Sequence, residues 1–458
     1  MTDPIHHPSS FKDPSGFIFN QHGQYYRHIH KEYAPDYKLL MSGGLHEKLV
    51  AKKFLIPHTE INENLSGVAD WHITLLPEQL AFITYPYEWC FDQLKDVALI
   101  CLDILRTSID HGMILKDATP FNFQFHHGRA RLVDTLSFVR YDSEKPWIAY
   151  RQFCESFLFP LLINHYLQLD GQRFLSIYPE GLPVNMVAKM LPARSRFKLS
   201  VWLHVYLQNK ISQRHQKNGK SPIAFSKDKL IRLIDHLQSI IGMLKINMDA
   251  NSDWNNYYVE TILGSDYLQA KERIFRELIH GLEFESALDI GSNDGYFSKI
   301  LAENKTLVIA SDNDAQCLNG LYLKTKSMPG QNIIPILVDL ANPSAQSGFR
   351  NRERKSFGDR TSSELVSVLA IIHHLVLSRN IPIPDIAILC AELAKKFLII
   401  EFVPLTDSKS VQLIKRKEKF HSPYNVAAFE EAFLEYFDIE RKESIPGTER
   451  MMYRMKRK

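Results

Sequence analysis

The chain has 458 residues, a hydrophobic fraction of 45%, a charged fraction of 23% and a formal net charge of +3. This composition is ordinary for a globular protein and excludes a disordered or fibrous chain. The length predicts about two or three domains. The longest apolar stretch, Phe157–Leu167, is interrupted by Pro160 and Asn164, so the sequence predicts no transmembrane segment.

Cysteine usage and the N-terminus indicate the cellular compartment. No two of the five cysteines form a C-x-x-C pair, which argues against a zinc site or a disulfide framework. The first residues, Met1–Pro8, are polar and do not have the pattern of a signal peptide. We therefore expect a reducing, cytoplasmic setting. The cysteines are Cys90, Cys101, Cys154, Cys317 and Cys390.

In the first half, polar residues follow apolar runs in a distinctive order. Leu94–Ile109 has helical apolar spacing and leads into a loop that contains Asp117 and Asn122. An apolar strand pair follows, with a His126-His-Gly turn, and it ends in Asp134. The run Leu80–Trp89 predicts a strand and a hinge before the helix.

This order resembles the catalytic loop of protein-kinase-like phosphotransferases, in particular the branch that acts on small molecules. The resemblance implies an α+β domain with a helical second lobe. It also implies that Asp117 orients an acceptor hydroxyl, while Asn122 and Asp134 hold Mg²⁺ beside ATP.

The sequence departs from that family in ways that leave three interpretations open. It has no glycine-rich G-x-G-x-x-G loop near the N-terminus and no lysine in a clearly apolar strand. Thr135 and Leu136 also stand where protein kinases have Phe-Gly. The domain could be an active phosphotransferase, or a degenerate one that binds or positions a substrate. Alternatively, Asp117 and Asn122 could be turn residues around Pro120.

The middle of the chain is basic and contains the predicted domain junction. Residues 181–227 contain no Asp or Glu, which suits an anionic partner but also suits a solvated helix face with a basic loop. A polar stretch over 212–222 predicts a linker, and Ser226–Leu244 predicts an amphipathic helix. We expect a kinase-like domain over 1–211, a linker and connecting helix over 212–250, and a second domain over 251–458. The cations of the basic segment are Lys189, Arg194, Arg196, Lys198, Lys210, Arg214, Lys217, Lys220 and Lys227.

The most informative stretch of the chain is Ala287–Ser298. An apolar run around Asp289 predicts a buried strand, and Gly291 and Gly295 then precede an amphipathic segment. A strand, a glycine turn and a helix start bring a nucleotide-like ligand against the backbone. Glycine suits this turn because a Cβ would disfavour a positive φ or collide with the ligand.

Further apolar runs follow at the rhythm of alternating strands and helices, which predicts a parallel sheet covered by helices. The second run ends in Asp312, the third precedes Asp339, the fourth is closed by His373 and His374, and the fifth ends in Glu401. The last two segments could form an antiparallel pair. The runs are Thr306–Asp312, Ile333–Val338, Leu365–Ile372, Phe397–Glu401, Phe437–Arg441 and Met451–Met455.

This ordered set resembles the class I methyltransferases that use S-adenosylmethionine (SAM). The resemblance implies a Rossmann-like sheet of seven strands, with Asp312 on the ribose diol and Asp339 on the adenine amino group. It also implies a helical cap over the cofactor around Trp254–Tyr258, Tyr267, Lys271 and Phe275. The residues implied to bind SAM are Asp289, Gly291, Ser292, Asn293, Gly295, Asp312 and Asp339.

The sequence predicts a SAM-dependent methyltransferase whose first half selects or positions the acceptor. His374, His373 and Glu401 are candidate bases because they follow strands at the edge where ligands bind. The loop 342–360 could contact an anionic acceptor. The acceptor could be a small molecule, a glycan or RNA. Two alternatives remain, a bifunctional kinase-methyltransferase and a scaffold that binds SAM without catalysis.

Overall fold

The computed structural model describes residues 5–210, 226–247, 264–303, 306–328, 330, 332–414 and 423–458. The chain forms two compact units. The N-terminal unit contains residues 1–247 together with Gln346–Arg354, and the C-terminal unit contains residues 248–345 and 355–458. The chain therefore returns to the N-terminal unit for one short segment of its second half.

The N-terminal unit begins with an antiparallel sheet of five strands in the order β1-β2-β3-β5-β4. Two helices, Ala34–Ser42 and Leu45–Ala51, lie in sequence between β3 and β4. Ile29, Tyr33 and Leu136 belong to one buried cluster beneath this sheet. The strands are β1 (Ile5–His6), β2 (Gly16–Gln21), β3 (Gln24–Ile29), β4 (His58–Ile61) and β5 (Ile73–Pro77).

The long helix Phe91–Asp110 forms the centre of the remaining, mainly helical part, because its apolar face is fully buried at Cys101, Leu102 and Leu105. Two antiparallel strand pairs follow it, β6 with β9 and β7 with β8. These strands are β6 (Met113–Leu115), β7 (Phe123–His126), β8 (Arg129–Leu132) and β9 (Phe138–Arg140). The later helical segments are Tyr150–Phe153, Cys154–Leu158, Phe159–Leu167, Gly171–Ser176, Val184–Met190, Ala193–Phe197, Leu199–Val201 and Trp202–Leu207.

The helix Lys227–Met243 belongs to the N-terminal unit. Its side chain Gln238 donates to the Asp103 carboxylate at 2.7 Å, and Asp235 pairs with Arg106. Ser226 caps the helix by accepting a hydrogen bond from the Lys229 amide. The helix predicted from the apolar spacing is therefore present and packs on Phe91–Asp110. The stretch predicted as a linker, 212–222, lies outside the described residues.

The C-terminal unit contains the predicted sheet of seven strands, in the order β12-β11-β10-β13-β14-β16-β15. β10 to β14 are parallel, and β16 runs antiparallel between β14 and β15. The Rossmann-like sheet expected from the sequence is thus confirmed. The strands are β10 (Ser286–Ile290), β11 (Leu307–Asp312), β12 (Ile333–Leu337), β13 (Ser363–Val368), β14 (Ala394–Phe402), β15 (Phe437–Ser444) and β16 (Met451–Arg457).

Helices connect these strands and cover the sheet, as a parallel sheet requires. The long helix that precedes β10 is strongly amphipathic and buries Phe275 and Leu278. The helical segments of this unit are Gly264–Ile279, Tyr296–Ala302, Ala315–Lys326, Phe357–Thr361, His374–Ser378, Ile383–Leu393, Ser408–Ile414 and Val426–Leu434.

Among the described residues, no helix combines the length and the apolar character that a membrane crossing requires. All five cysteines are buried and unpaired with one another. No disulfide framework is therefore formed by these residues.

The placement of Lys227–Met243 generates a stability prediction. Ile234 is fully buried, so Ile234→Ala should lower the free energy of unfolding by about 2–5 kcal/mol through lost burial and a residual cavity. Lys229→Ala, on the exposed side of the same helix, should change it by less than about 0.5 kcal/mol. Denaturant titration followed by fluorescence measures both. Equal, small effects would show that this helix does not contribute to the core of the N-terminal unit.

Candidate active site

The loop after β10 has the backbone conformation that the glycine pattern predicted. Gly291, Asn293 and Gly295 have φ values of 73°, 50° and 78°. The amides of Gly291 and Ser292 donate to the Ser311 carbonyl at 2.8 and 3.0 Å. These bonds fix the loop to the end of β11. The loop then leads into the helix Tyr296–Ala302, for which Gly295 is the N-cap.

Asp312 at the end of β11 holds the same loop from the other side. One carboxylate oxygen accepts the Asn293 amide at 2.8 Å, and the other accepts the Asp314 amide at 2.9 Å. Burial raises the pKa of this carboxyl, while the hydrogen bonds from Asp314 and Asn293 oppose the shift. The Asp312 side chain therefore joins the ends of two neighbouring strands.

Asp289 lies one strand position before the loop and is buried. Ser298 donates to its carboxylate at 2.5 Å. Burial raises the pKa of Asp289 to about 6, because removal from water disfavours the charged carboxylate. Its negative charge is therefore costly in the protein alone, and a cation bound nearby would favour it.

The two glycines are required for a reason that the sequence could not give. A Cβ on Gly291 would approach the Ile371 side chain to 2.3 Å, and one on Gly295 would approach Leu321 to 2.3 Å. A Cβ at either position would therefore require these side chains to shift, and the collision with a ligand stays a prediction. The expectation of a positive φ was correct at both positions.

Asp339 follows β12 and contacts Arg379. The Arg379 guanidinium lies 3.1 Å from its carboxylate, and the Ala341 amide donates to the other carboxylate oxygen at 3.0 Å. A ligand amino group at Asp339 would have to share the carboxylate with this partly exposed arginine.

Glu401 lies at the end of β14 and is completely buried between two cations. Its carboxylate is 2.6 Å from the Lys271 ammonium and 3.4 Å from the Arg450 guanidinium. Tyr267 donates to it at 3.2 Å. The two cations lower the pKa of Glu401 against the effect of burial, which keeps the carboxylate ionised.

A second acid completes this buried charge network. Arg450 is 1% exposed and makes two bonds to Asp407, at 2.8 and 3.0 Å, as well as one to Tyr267 at 2.8 Å. Neither Arg450 nor Asp407 was predicted from the sequence as part of the site. The available signal was a charged residue, Glu401, at the end of an otherwise apolar strand, which must have a partner when buried.

His373 and His374 follow β13, as expected, but their surroundings differ. His373 is fully buried, and neither ring nitrogen has a hydrogen-bond partner among the described residues. His374 is partly exposed, and burial lowers its pKa to about 4. The two rings lie 4.2 Å apart between centroids. Both imidazoles are therefore neutral near pH 7.

The predicted acceptor loop, 342–360, is described throughout, whereas the predicted cofactor cap is described only in part. Glu353 and Arg354 of the loop belong to the N-terminal unit, where Glu353 lies 3.3 Å from Lys12 and Arg354 lies over the Phe121 ring at 5.3 Å. The cap residues 254–258 lie outside the described residues. Phe275, also predicted in the cap, is buried.

The N-terminal unit brings its three predicted site residues together. Asn122 donates to Asp117 at 3.0 Å and to Ser137 at 3.3 Å, and Ser137 donates to Asp134 at 2.5 Å. Gln152 donates to the second oxygen of Asp117 at 2.6 Å. Burial, followed by the charge of Asp134, raises the pKa of Asp117.

Arg27, which was not predicted from the sequence, forms an ion pair with Asp134, the acid of this group that the sequence predicted to hold Mg²⁺. Arg27 lies on β3 and its guanidinium is 2.6 Å from the Asp134 carboxylate. It was not predicted because the family pattern has a lysine in an apolar strand, whereas β3 has the sequence Gln-Tyr-Tyr-Arg-His-Ile. The acid that the sequence predicted to hold Mg²⁺ is thus paired with an arginine in this structure.

The cations of the basic segment are exposed where they are described. Lys189, Arg194, Lys198 and Lys210 are exposed, and Arg196 lies over the Tyr206 ring at 5.2 Å. Lys227 pairs with Asp110 at 3.3 Å. Arg214, Lys217 and Lys220 lie outside the described residues. The anionic partner remains a prediction.

Among characterised proteins, the chain is similar to the nodulation protein NoeA of Rhizobium meliloti (strain 1021). The two sequences are 29% identical over 457 residues, which is 98% of this chain and 95% of NoeA. No protein-family model matches the chain.

Solved structures with partial similarity include three methyltransferases. The magnesium protoporphyrin IX methyltransferase of Synechocystis PCC 6803 is 18% identical, with 42% of this chain and 84% of that chain covered and a TM-score of 0.31. The N-methyltransferase NodS of Bradyrhizobium japonicum WM9 is 11% identical, with 43% and 99% covered and a TM-score of 0.33. The bifunctional kinase-methyltransferase WbdD is 15% identical, with 42% and 38% covered and a TM-score of 0.28.

The packing of Gly291 leads to a prediction about its replacement. Gly291→Ala should destabilise the C-terminal unit by roughly 1–3 kcal/mol, because the residue has a positive φ and its Cβ would meet Ile371. Combining it with Ile371→Ala removes the steric part of that penalty. The double variant should therefore show less loss than the sum of the two single variants, measured by thermal unfolding. Strict additivity would show that Ile371 is not the obstacle.

Proposed function

We propose that the chain is a SAM-dependent methyltransferase. The supporting observation is the position of the loop Gly291–Gly295 in the sheet. β10 pairs with β11 on one side and with β13 on the other, so the chain reverses its direction across the sheet at this strand. Ligands of open α/β sheets bind outside the carboxyl ends of the strands at such a switch point.

The residues at the switch point suit a ribonucleoside that carries a positive charge. Asp312 is partly exposed at the strand end and has lone pairs beyond the two used by backbone amides. The buried Ser292 hydroxyl has no partner among the described residues. The buried Asp289 carboxyl, whose pKa is raised by burial, would be stabilised in its charged form by a nearby cation. These features match a ribose diol and the sulfonium or ammonium groups of SAM.

The bound cofactor would supply a methyl group on positively charged sulfur, and the protein would need mainly to align the acceptor with it. Of the candidate bases, Glu401 is engaged by Lys271 and Arg450 and has no free role in proton transfer. His374 is neutral near pH 7 and is the better candidate to accept a proton from the acceptor. With a pKa of about 4, it is a weak base, so orientation would provide most of the rate enhancement.

The N-terminal unit, in this proposal, positions the acceptor and does not transfer phosphate. The support is the ion pair of Arg27 with Asp134, because the acid that would hold Mg²⁺ is already neutralised. The grouping of Asp117, Asn122 and Asp134 favours a kinase-like origin and keeps a bifunctional enzyme as the second candidate. The alignment with NoeA covers 98% of the chain and thus includes both units. The acceptor class stays open among a small molecule, a glycan and RNA.

The proposed cofactor site predicts a specific loss of affinity. Asp312→Asn should weaken SAM binding at least tenfold in calorimetry, because a carboxylate accepts two strong hydrogen bonds from a diol and an amide accepts fewer. Asp385→Asn, an exposed acid of the same unit, should leave the affinity unchanged.

Equal affinities for these two variants would contradict the assignment of Asp312. A wild type that binds SAM but methylates no fraction of small molecules, glycans or RNA would instead support the scaffold alternative. Labelled SAM with fractionated acceptors distinguishes this outcome from a failure of the cofactor site.

The Arg27–Asp134 pair predicts that the wild type has no Mg²⁺-dependent ATP turnover. A coupled assay for ADP release measures it, with Asp117→Asn as the test variant and the exposed Asp142→Asn as its control. ATP consumption that disappears in Asp117→Asn but persists in Asp142→Asn would contradict the positioning role and establish the bifunctional enzyme.

A further inference from the structure

A second polar cluster of the N-terminal unit contains the His126-His-Gly turn that follows Asn122 in the sequence. It combines Glu78, just after β5, with His126 and His127 at the turn between β7 and β8. One ligand atom from each of the three side chains lies within 4.8 Å of the others. We propose that these residues form a binding site for a divalent transition metal ion, with Zn²⁺ as its best-fitting occupant.

The backbone conformation explains how the side chains of two adjacent histidines lie close together. Consecutive residues of a strand normally point to opposite faces. His127 has a φ of 49° and is followed by Gly128 with a φ of 70°, so the chain turns immediately after His126. As a result, the two imidazole rings lie 4.1 Å apart between centroids.

The spacing of the His126 and Glu78 donor atoms needs little adjustment, and the His127 donor lies within 4.8 Å of both. The His126 Nε2 atom lies 2.8 Å from one Glu78 oxygen. Two ligands of a tetrahedral zinc ion, each about 2.0–2.1 Å from the metal, are roughly 3.3 Å apart. A movement of about half an ångström would therefore admit the ion between them, since Glu78 and His127 are exposed side chains that can shift.

Arg131 has the position of a residue that orients a metal ligand. It approaches the other Glu78 oxygen at 3.5 Å, so the first oxygen faces the imidazoles. Carboxylate ligands in metal sites are commonly held in this way by a further hydrogen bond. The positive charge of Arg131 also partly offsets the negative charge of Glu78. The site therefore favours Zn²⁺, which imidazoles bind well, over metal ions that depend on carboxylate charge.

Two nitrogens and one oxygen form a donor set suited to Zn²⁺, Ni²⁺ or Cu²⁺ and poorly suited to Mg²⁺. With three protein ligands, water would complete the coordination. An ion here would connect the chain after β5 to the β7–β8 hairpin. We therefore assign it a stabilising role in the N-terminal unit.

The test is calorimetric titration of the full chain with ZnCl₂ and, for comparison, MgCl₂. We expect one Zn²⁺ per chain at this site and at least a hundredfold weaker binding of Mg²⁺. His126→Ala and His127→Ala should each weaken Zn²⁺ binding at least tenfold, and Zn²⁺ should raise the melting temperature of the wild type more than that of either variant.

The chain offers a matched control in His22. It also has a positive φ, 51°, and precedes a glycine in a hairpin turn between β2 and β3. His22→Ala should leave Zn²⁺ binding unchanged. X-ray absorption of the zinc-loaded protein should show two imidazole ligands. Zn²⁺ affinity that is equal in all three variants, or an absorption spectrum without paired imidazoles, would overturn the proposal.

Discussion

The carboxyl edge of the C-terminal sheet is organised by one buried carboxylate, Glu401, held between Lys271 and Arg450. An unpaired buried ion costs several kcal/mol, so each charge in this region must be matched. Asp407 supplies the second negative charge and binds Arg450 through two nitrogens. The network thereby ties the helix before β10, the end of β14, the loop after it and the start of β16 into one arrangement. Removing a single partner would leave an uncompensated charge, which is far more destabilising than replacing a whole pair.

This constraint also determines which groups remain for chemistry. Glu401 is engaged, so the polar groups left at the switch point are those around the glycine loop and the histidines after β13. The contact that a Cβ on Gly291 would make with Ile371 indicates that these two loops are adjacent. The proposed cofactor and proton-accepting groups therefore lie on neighbouring strands, where a methyl donor and its acceptor must meet. In the proposed mechanism, the orientation of the reactants would therefore contribute more than acid–base catalysis.

The features predicted from the sequence are those with local causes. The apolar runs, the acids that end them and the positive φ at Gly291 and Gly295 all depend on a few consecutive residues, and the structure contains them. The partners of buried charges could not be predicted, because Arg450 reaches Glu401 across 49 residues and Arg27 reaches Asp134 across 107. For the same reason, periodicity could not show that His373 is fully buried and His374 partly exposed. The nature of the glycine contacts also depended on Ile371 and Leu321, which are distant in sequence.

A crystal structure of the chain with S-adenosylhomocysteine would show where the cofactor binds. We expect the ribose hydroxyls to lie within hydrogen-bond distance, about 2.7–3.2 Å, of the Asp312 carboxylate. We also expect the homocysteine part to lie along Gly291–Gly295 while Glu401 keeps its pairs with Lys271 and Arg450. A nucleoside bound elsewhere on the sheet, or one that displaces Lys271 from Glu401, would contradict the proposed site.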